Sequence, residues 1–149
     1  MSKTLNEGLG CLRDTTAVIV NNDIPDTEGG ASIVVRFSNG SILQATFWRV
    51  VKDGKTQLSS FDHGQKYGLP APIDAKKQLV DLLNGRTCQD ARCDGETADL
   101  LLKFDKDTKL QVFNFTGYEI WQFHFPDGTG VYSNYALAEL FAPRRNRTL

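Results

Sequence analysis

Three cysteines, two histidines and a scatter of acids are the groups in this chain with chemistry to offer. A metal site would have to draw on Cys88, Cys93, His63 and His124. A structural zinc ion is gripped by two tight ligand pairs, whereas Cys88 and Cys93 make one loose pair with four residues between them. On a regular strand, residues an odd number apart point to opposite faces, which would separate the two thiols. Both read as small buried hydrophobes, and no metal or other cofactor is expected. The acidic stretch Asp94-Gly95-Glu96-Thr97-Ala98-Asp99 lacks the ligand spacing and terminal Glu of a calcium loop.

Nucleophilic catalysis needs a Ser or Cys beside a positioned base and an orienting acid. Ser59-Ser60-Phe61-Asp62-His63 supplies those residue types, but neighbours on an extended chain diverge, so Asp62 and His63 do not form an acid–base pair. There is no Gly-x-Ser-x-Gly elbow, phosphate loop or His-Glu-x-x-His segment. Glycosidases work with paired carboxylates. Here Glu119 is the single acid in an apolar stretch, and it reads as one member of an ion pair with Arg36 or Lys103. No catalytic set results, and the chain is expected not to be an enzyme. Phe113, Phe115, Tyr118 and Trp121 read as core, because no basic residue accompanies them between Lys109 and Arg144. Nucleic acid is therefore not an expected partner.

The elements that would hold these residues are mostly strands. Ile33-Val-Val-Arg-Phe37-Ser-Asn-Gly40-Ser-Ile-Leu43-Gln44 lies over Leu100-Leu-Leu-Lys-Phe104-Asp-Lys-Asp107-Thr-Lys-Leu110-Gln111 without a gap. The Thr16 and Thr87 segments correspond upstream. Trp48 with Asp53-Gly54, and Trp121 with Asp127-Gly128, correspond downstream. The spacing predicts one unit written twice, each copy an antiparallel meander.

Ile33, Val35 and Phe37 share one face, as do Trp121, Phe123 and Phe125. Ser38-Asn39-Gly40-Ser41 reads as a type I′ hairpin, and residues 42–51 as one long strand. Between the copies, Pro72, Asp74 as N-cap, the Leu79/Leu82/Leu83 stripe and Asn84-Gly85 define the one clear helix. A shorter C-terminal helix is expected over 134–141, stopped by Pro143. The fold class is α+β and predominantly β, in a single domain. Repeat one covers about 12–60, the linking loop and helix 61–85, repeat two about 86–133, and the C-terminal helix and basic tail 134–149.

A chain of 149 residues can bury a full core, and 40% hydrophobic content supports one. Net charge is −1, with Arg144, Arg145 and Arg147 offsetting a mildly acidic body. The odd cysteine count, a first ten residues without an apolar run, and no long apolar stretch all fit a bacterial-type cytoplasmic protein with no membrane association. Acidity recurs in step with the repeat. Asp23, Asp26 and Glu28 precede the central strand of the first copy, and Asp94, Glu96 and Asp99 that of the second. Such loops, together with Asp62, His63, Lys66 and Tyr67, are the candidate contacts for a protein partner.

Gly117-Tyr118-Glu119-Ile120-Trp121 followed by Pro126-Asp127-Gly128 resembles a family of small, poorly characterised bacterial proteins with a Tyr-Glu-x-Trp signature. Leu83-Asn84-Gly85-Arg86-Thr87, Leu100–Phe104 and Leu110–Val112 match the meander of their second half, and SSFDHGQKYGLPAPID over 59–74 is similar to their proteobacterial members. The resemblance spans about residues 30–135 and implies an immunity protein that binds and neutralises a cognate polymorphic toxin. It carries over no contact residue. A small-molecule binder or enzyme with a pocket between the sheets, using Glu119, and a homodimeric scaffold joined at a strand edge are the alternatives.

Overall fold

The computed structural model describes residues 5–20, 31–115 and 120–133. Along the chain these residues form α1 (Leu5–Leu9), β1 (Ala17–Ile19), β2 (Ile33–Phe37), β3 (Ile42–Ala45), β4 (Trp48–Lys52) and β5 (Lys55–Ser59). Then come α2 (Ala75–Leu83), β6 (Cys88–Cys93), β7 (Leu100–Phe104), β8 (Thr108–Val112), β9 (Trp121–His124) and β10 (Gly130–Tyr132). The strands make two five-stranded antiparallel sheets, ordered β1-β2-β3-β9-β10 and β5-β4-β8-β7-β6. Each sheet therefore takes three strands from one half of the chain and two from the other.

The handover happens at Thr46-Phe47, where one continuous strand over 42–51 was expected. Leu43 and Ala45 are buried, and so are Trp48 and Val50. An unbroken strand alternates faces and would turn Trp48 outward once Ala45 faced in. The two-residue bend resets the alternation and carries the chain into the other sheet. The same contacts then hold both crossings. Trp48 Nε1 donates to the Ala31 carbonyl at 2.7 Å, and Trp121 Nε1 to the Ala98 carbonyl at 2.8 Å. Trp48 N–H donates to Ser60 Oγ at 3.2 Å, and Trp121 N–H to Ser133 Oγ at 3.1 Å.

The two halves meet at a bridge between Thr16 and Thr87. Around it the bonds come in matched pairs: Asp14 N–H to Cys88 O and Gly85 N–H to Ala17 O, each 2.8 Å. The helices exchange sides as the strands do. α1 packs on β6 and α2 packs on β1. Asn6 grips Cys93 through both its backbone groups, and Asn84 Oδ1 accepts from Ile19 N–H at 2.7 Å. These amides close two sheet edges that would otherwise offer open backbone to another chain.

One hydrophobic cluster draws on the inner faces of both sheets, with Trp48, Trp121, Phe37 and Phe123 among its largest fully buried members. Each such side chain stabilises the fold by about 1.5–3 kcal/mol relative to exposure. α2 forms as its sequence dictates. Asp74 Oδ1 accepts from Lys77 N–H, Ala75, Leu79 and Leu83 are buried, and the chain leaves after Asn84.

Three further expectations are corrected. The turn at Ser38–Ser41 is not type I′, which needs two positive φ angles. Only Gly40 is left-handed (φ +95°), while Gly40 N–H closes a tight turn onto Phe37 O. α1 is a second helix, short and without the long apolar stripe that announces α2. Cys88 and Cys93 face the same way, because a bulge between Cys88 and Asp90 inserts one residue and restores the parity. The expected helix over 134–141 and Glu119 lie outside the described residues. Among the described residues, no helix is long and apolar enough to cross a membrane.

Candidate functional site

Between β5 and α2 the chain runs over residues 60–74 without strand or α-helix, yet it is closely tied down. Ser59 and Asp62 form a reciprocal cap around a 3-10 turn, with Ser59 N–H donating to Asp62 Oδ2 at 2.8 Å. The other oxygen of Asp62 accepts from Tyr67 Oη–H at 2.9 Å. That bond to a carboxylate pushes the Tyr67 phenol above its ordinary pKa. His63 Nδ1 accepts from Ala75 N–H at 3.1 Å and so anchors the loop to the first residue of α2. Gly64 N–H to Ile73 O and Ile73 N–H to Gln65 O zip the two arms together at 2.8 and 2.9 Å.

Asp62 and His63 are thus in one loop, where Asp62 accepts from Ser59 N–H and Tyr67 Oη–H and His63 accepts from Ala75 N–H. Outward the loop presents Tyr67 at 66% exposure, Leu69 at 49% and Phe61 at 47%, together with exposed Gln65, Lys66 and Asp74.

Phe61 belongs to a larger aromatic patch. It stacks on Phe47 at 5.7 Å between ring centroids, Phe47 meets Phe115 at 4.9 Å, and Phe115 lies parallel to Phe113 at 6.0 Å. The Arg49 guanidinium sits 5.0 Å from the Phe113 ring centre and donates to Gln111 Oε1. Phe115 is 58% exposed, which corrects its reading as core. The polarity of neighbouring residues along the chain could not reveal this patch. It assembles three separate segments, from the β3–β4 bend, the loop after β5, and the end of β8.

The acidic turn after β6 is largely satisfied by its own backbone. Asp94 Oδ1 accepts from Glu96 N–H and Thr97 N–H at 2.8 and 3.0 Å, which holds its carboxyl below the usual range. Asp99 Oδ1 accepts from Asn114 N–H at 2.7 Å, and Glu96 is exposed. The turn adjoins Phe113 across an open groove of about 360 Å³ that Arg92, Leu101 and Gln111 also line. Asp23, Asp26 and Glu28 lie outside the described residues. The structure therefore brings Asp62, His63 and Tyr67 together in one bonded loop and sets Asp94, Glu96 and Asp99 apart from them in another.

Burial pushes the Cys88 thiol up to about 11 and the Cys93 thiol to about 12, so neither is a nucleophile near neutrality. Cys11 is exposed. Among the described residues, no group of three or more His, Cys, Asp or Glu side chains converges on a point that could hold a metal ion. Comparison with protein-family models, curated proteins and solved structures returned no match.

Proposed function

We propose that this chain is a cytoplasmic, non-enzymatic binding protein of bacterial type that neutralises a cognate toxin by covering its active surface. The observation that carries this reading is the loop over 60–74 with its adjoining Phe47, Phe61 and Phe115. Large apolar side chains stand in solvent on and beside a segment in which Asp62, His63 and Tyr67 are hydrogen-bonded. Exposed apolar clusters on a fixed frame mark interaction surfaces, and a loop ordered before encounter loses little entropy on binding. Asp62, His63, Lys66 and Tyr67 give the contact its polar rim, with Glu96 and its neighbours Asp94 and Asp99 adding charge that steers association. A pocket between the sheets has less to support it. Buried side chains from both inner faces fill the shared core, led by two tryptophans.

The reading of the chain as two copies of one unit, over about 12–60 and 86–133, also belongs here. It is supported by the paired tryptophan–alanine and tryptophan–serine bonds, and by the reciprocal bonds around the Thr16–Thr87 bridge. Strand exchange between copies yields a stiff frame, on which loops can differ while the core stays constant.

The direct test is co-expression with the product of the adjacent gene. Growth should be arrested by that product alone and restored by this chain, with restoration weakened by Tyr67→Ala combined with Phe61→Ala. A harmless neighbour, or toxicity that persists with this chain present, ends the reading.

A further inference from the structure

The outer faces of the two sheets occupy the same frame, yet they are furnished differently. Where β3 meets β9, Gln44 stands opposite Gln122 and the two side chains bond at 2.8 Å. Where β8 meets β4, the corresponding positions are Gln111 and Arg49, again bonded to each other. One step along, Ile42 opposite His124 in the first sheet is matched by Lys109 opposite Val51 in the second. At the other end, Phe47 and Phe113 precede and follow the paired strands where the first sheet carries Ile120 and Thr46. The first face carries Gln122, Ile42, Ile120 and Thr46 where the second has Arg49, Lys109, Phe47 and Phe113, so the fold does not demand those four, while Lys103 is matched by the cation Arg36.

Those cations also sit at some cost to the fold. Lys103 and Lys109 are direct cross-strand partners, a like-charge pairing that destabilises a sheet, although Asp90 stands opposite Lys103 on its other side. Among the described residues neither is held in an ion pair, while the nearby Asp90 carboxylate is taken up by Arg92 at 2.9 Å and Arg13 at 3.6 Å. Excess positive charge beside half-buried Phe47 and Phe113 and exposed Phe115 is complementary to a surface that is both acidic and apolar.

We propose that the outer face of the second sheet docks a protein segment that seats an apolar side chain against Phe47, Phe113 and Phe115 and lays carboxylates over Lys103, Lys109 and Arg49. The inference rests on the reading of this chain as a protein-binding module and names the chemistry of what it binds. Phe113 and Lys109 are four residues apart along one strand direction, about 13 Å at strand rise. The bound segment therefore carries its acids about four residues from its anchor if extended, or two turns away if helical. A single nucleic-acid strand fits less well. Asp94 and Asp99 line the groove beside Phe113, which puts carboxylates where the phosphates flanking a stacked base would run.

The test uses the whole chain, immobilised, to select from a random peptide library, with selected peptides resynthesised and their affinities measured by fluorescence anisotropy. Selected sequences should pair an aromatic or large aliphatic residue with two or more acids at the stated spacing. Their binding should weaken by roughly tenfold or more with Lys103→Glu/Lys109→Glu and with Phe115→Ala, fall as salt rises, and survive Gln122→Glu on the other sheet. Unchanged melting temperatures show that the variants fold, and Lys103→Gln/Lys109→Gln replaces the reversal if it does not. Failure to select any sequence, peptides without acids, or affinities indifferent to these substitutions overturns the proposal. So does displacement of the peptides by single-stranded oligothymidylate, which would assign the face to nucleic acid. The selection needs no toxin. A failed neutralisation experiment thus leaves this surface standing, and a failed selection leaves the toxin reading standing.

Discussion

Replacing either buried tryptophan by phenylalanine is the most informative single perturbation of this fold. Trp48 and Trp121 are 1% and 2% exposed, and each indole N–H satisfies the carbonyl of a buried alanine. Trp48→Phe keeps an aromatic ring but strands the Ala31 carbonyl in the core, which costs about 1–3 kcal/mol. The smaller ring leaves a part-collapsed void worth about 1 kcal/mol more. The sum is about 2–4 kcal/mol, a large share of the roughly 5–15 kcal/mol that holds a domain together. For a chain of this length the melting temperature should fall by roughly 6–12 °C. Trp121→Phe should do the same, because its donor distance and burial are nearly identical. Urea unfolding followed by far-ultraviolet circular dichroism reads both. A loss below about 1 kcal/mol in either variant would refute the argument that these bonds pin the crossings between sheets.

Three further outcomes follow from the same geometry. With Cys88 and Cys93 raised to about 11 and about 12, folded protein at pH 8 should show one rapidly alkylated thiol, Cys11, and three only in denaturant; mass spectrometry counts them. Asp94 has its folded pKa lowered by two backbone N–H donors, so the order of its turn is present above the ordinary carboxylate range and lost as pH falls through the lowered value. The Glu96 and Thr97 amide resonances should titrate together in acid, and an independent response would break that link. Asp62→Ala removes a cap and the Tyr67 partner, a loss of about 1–2 kcal/mol of loop order. Trypsin should then cut after Lys66 about 5- to 30-fold faster, since local opening governs cleavage.

Local pattern carried much of the architecture. Ile33, Val35 and Phe37 announce a half-buried strand by alternation alone, and Asp74 with the Leu79/Leu83 stripe announces α2. What alternation cannot show is a change of partner. Nothing in residues 42–51 marks Thr46-Phe47 as a crossing except that Ala45 and Trp48 both need burial, and burial needs becomes visible only in three dimensions. The cysteine parity failed for a related reason, since a one-residue bulge is invisible to a rule that counts by twos. The loop over 60–74 was singled out as a segment by its residue types, but its hydrogen bonds, Asp62 to Ser59 N–H and Tyr67 and His63 to Ala75 N–H, are not legible from residue types alone. The aromatic patch was missed because Phe47, Phe61 and Phe115 are remote in sequence and Phe115 read as core.

The exchange of strands between halves sets the order in which this chain can mature during synthesis. β3 has no neighbour on one side until β9 is made, about eighty residues later, so the first sheet waits with a raw hydrogen-bonding edge while the ribosome completes the second. A nascent chain paused in that interval is a clasp half-closed, able to capture a second nascent copy in place of its own missing strands.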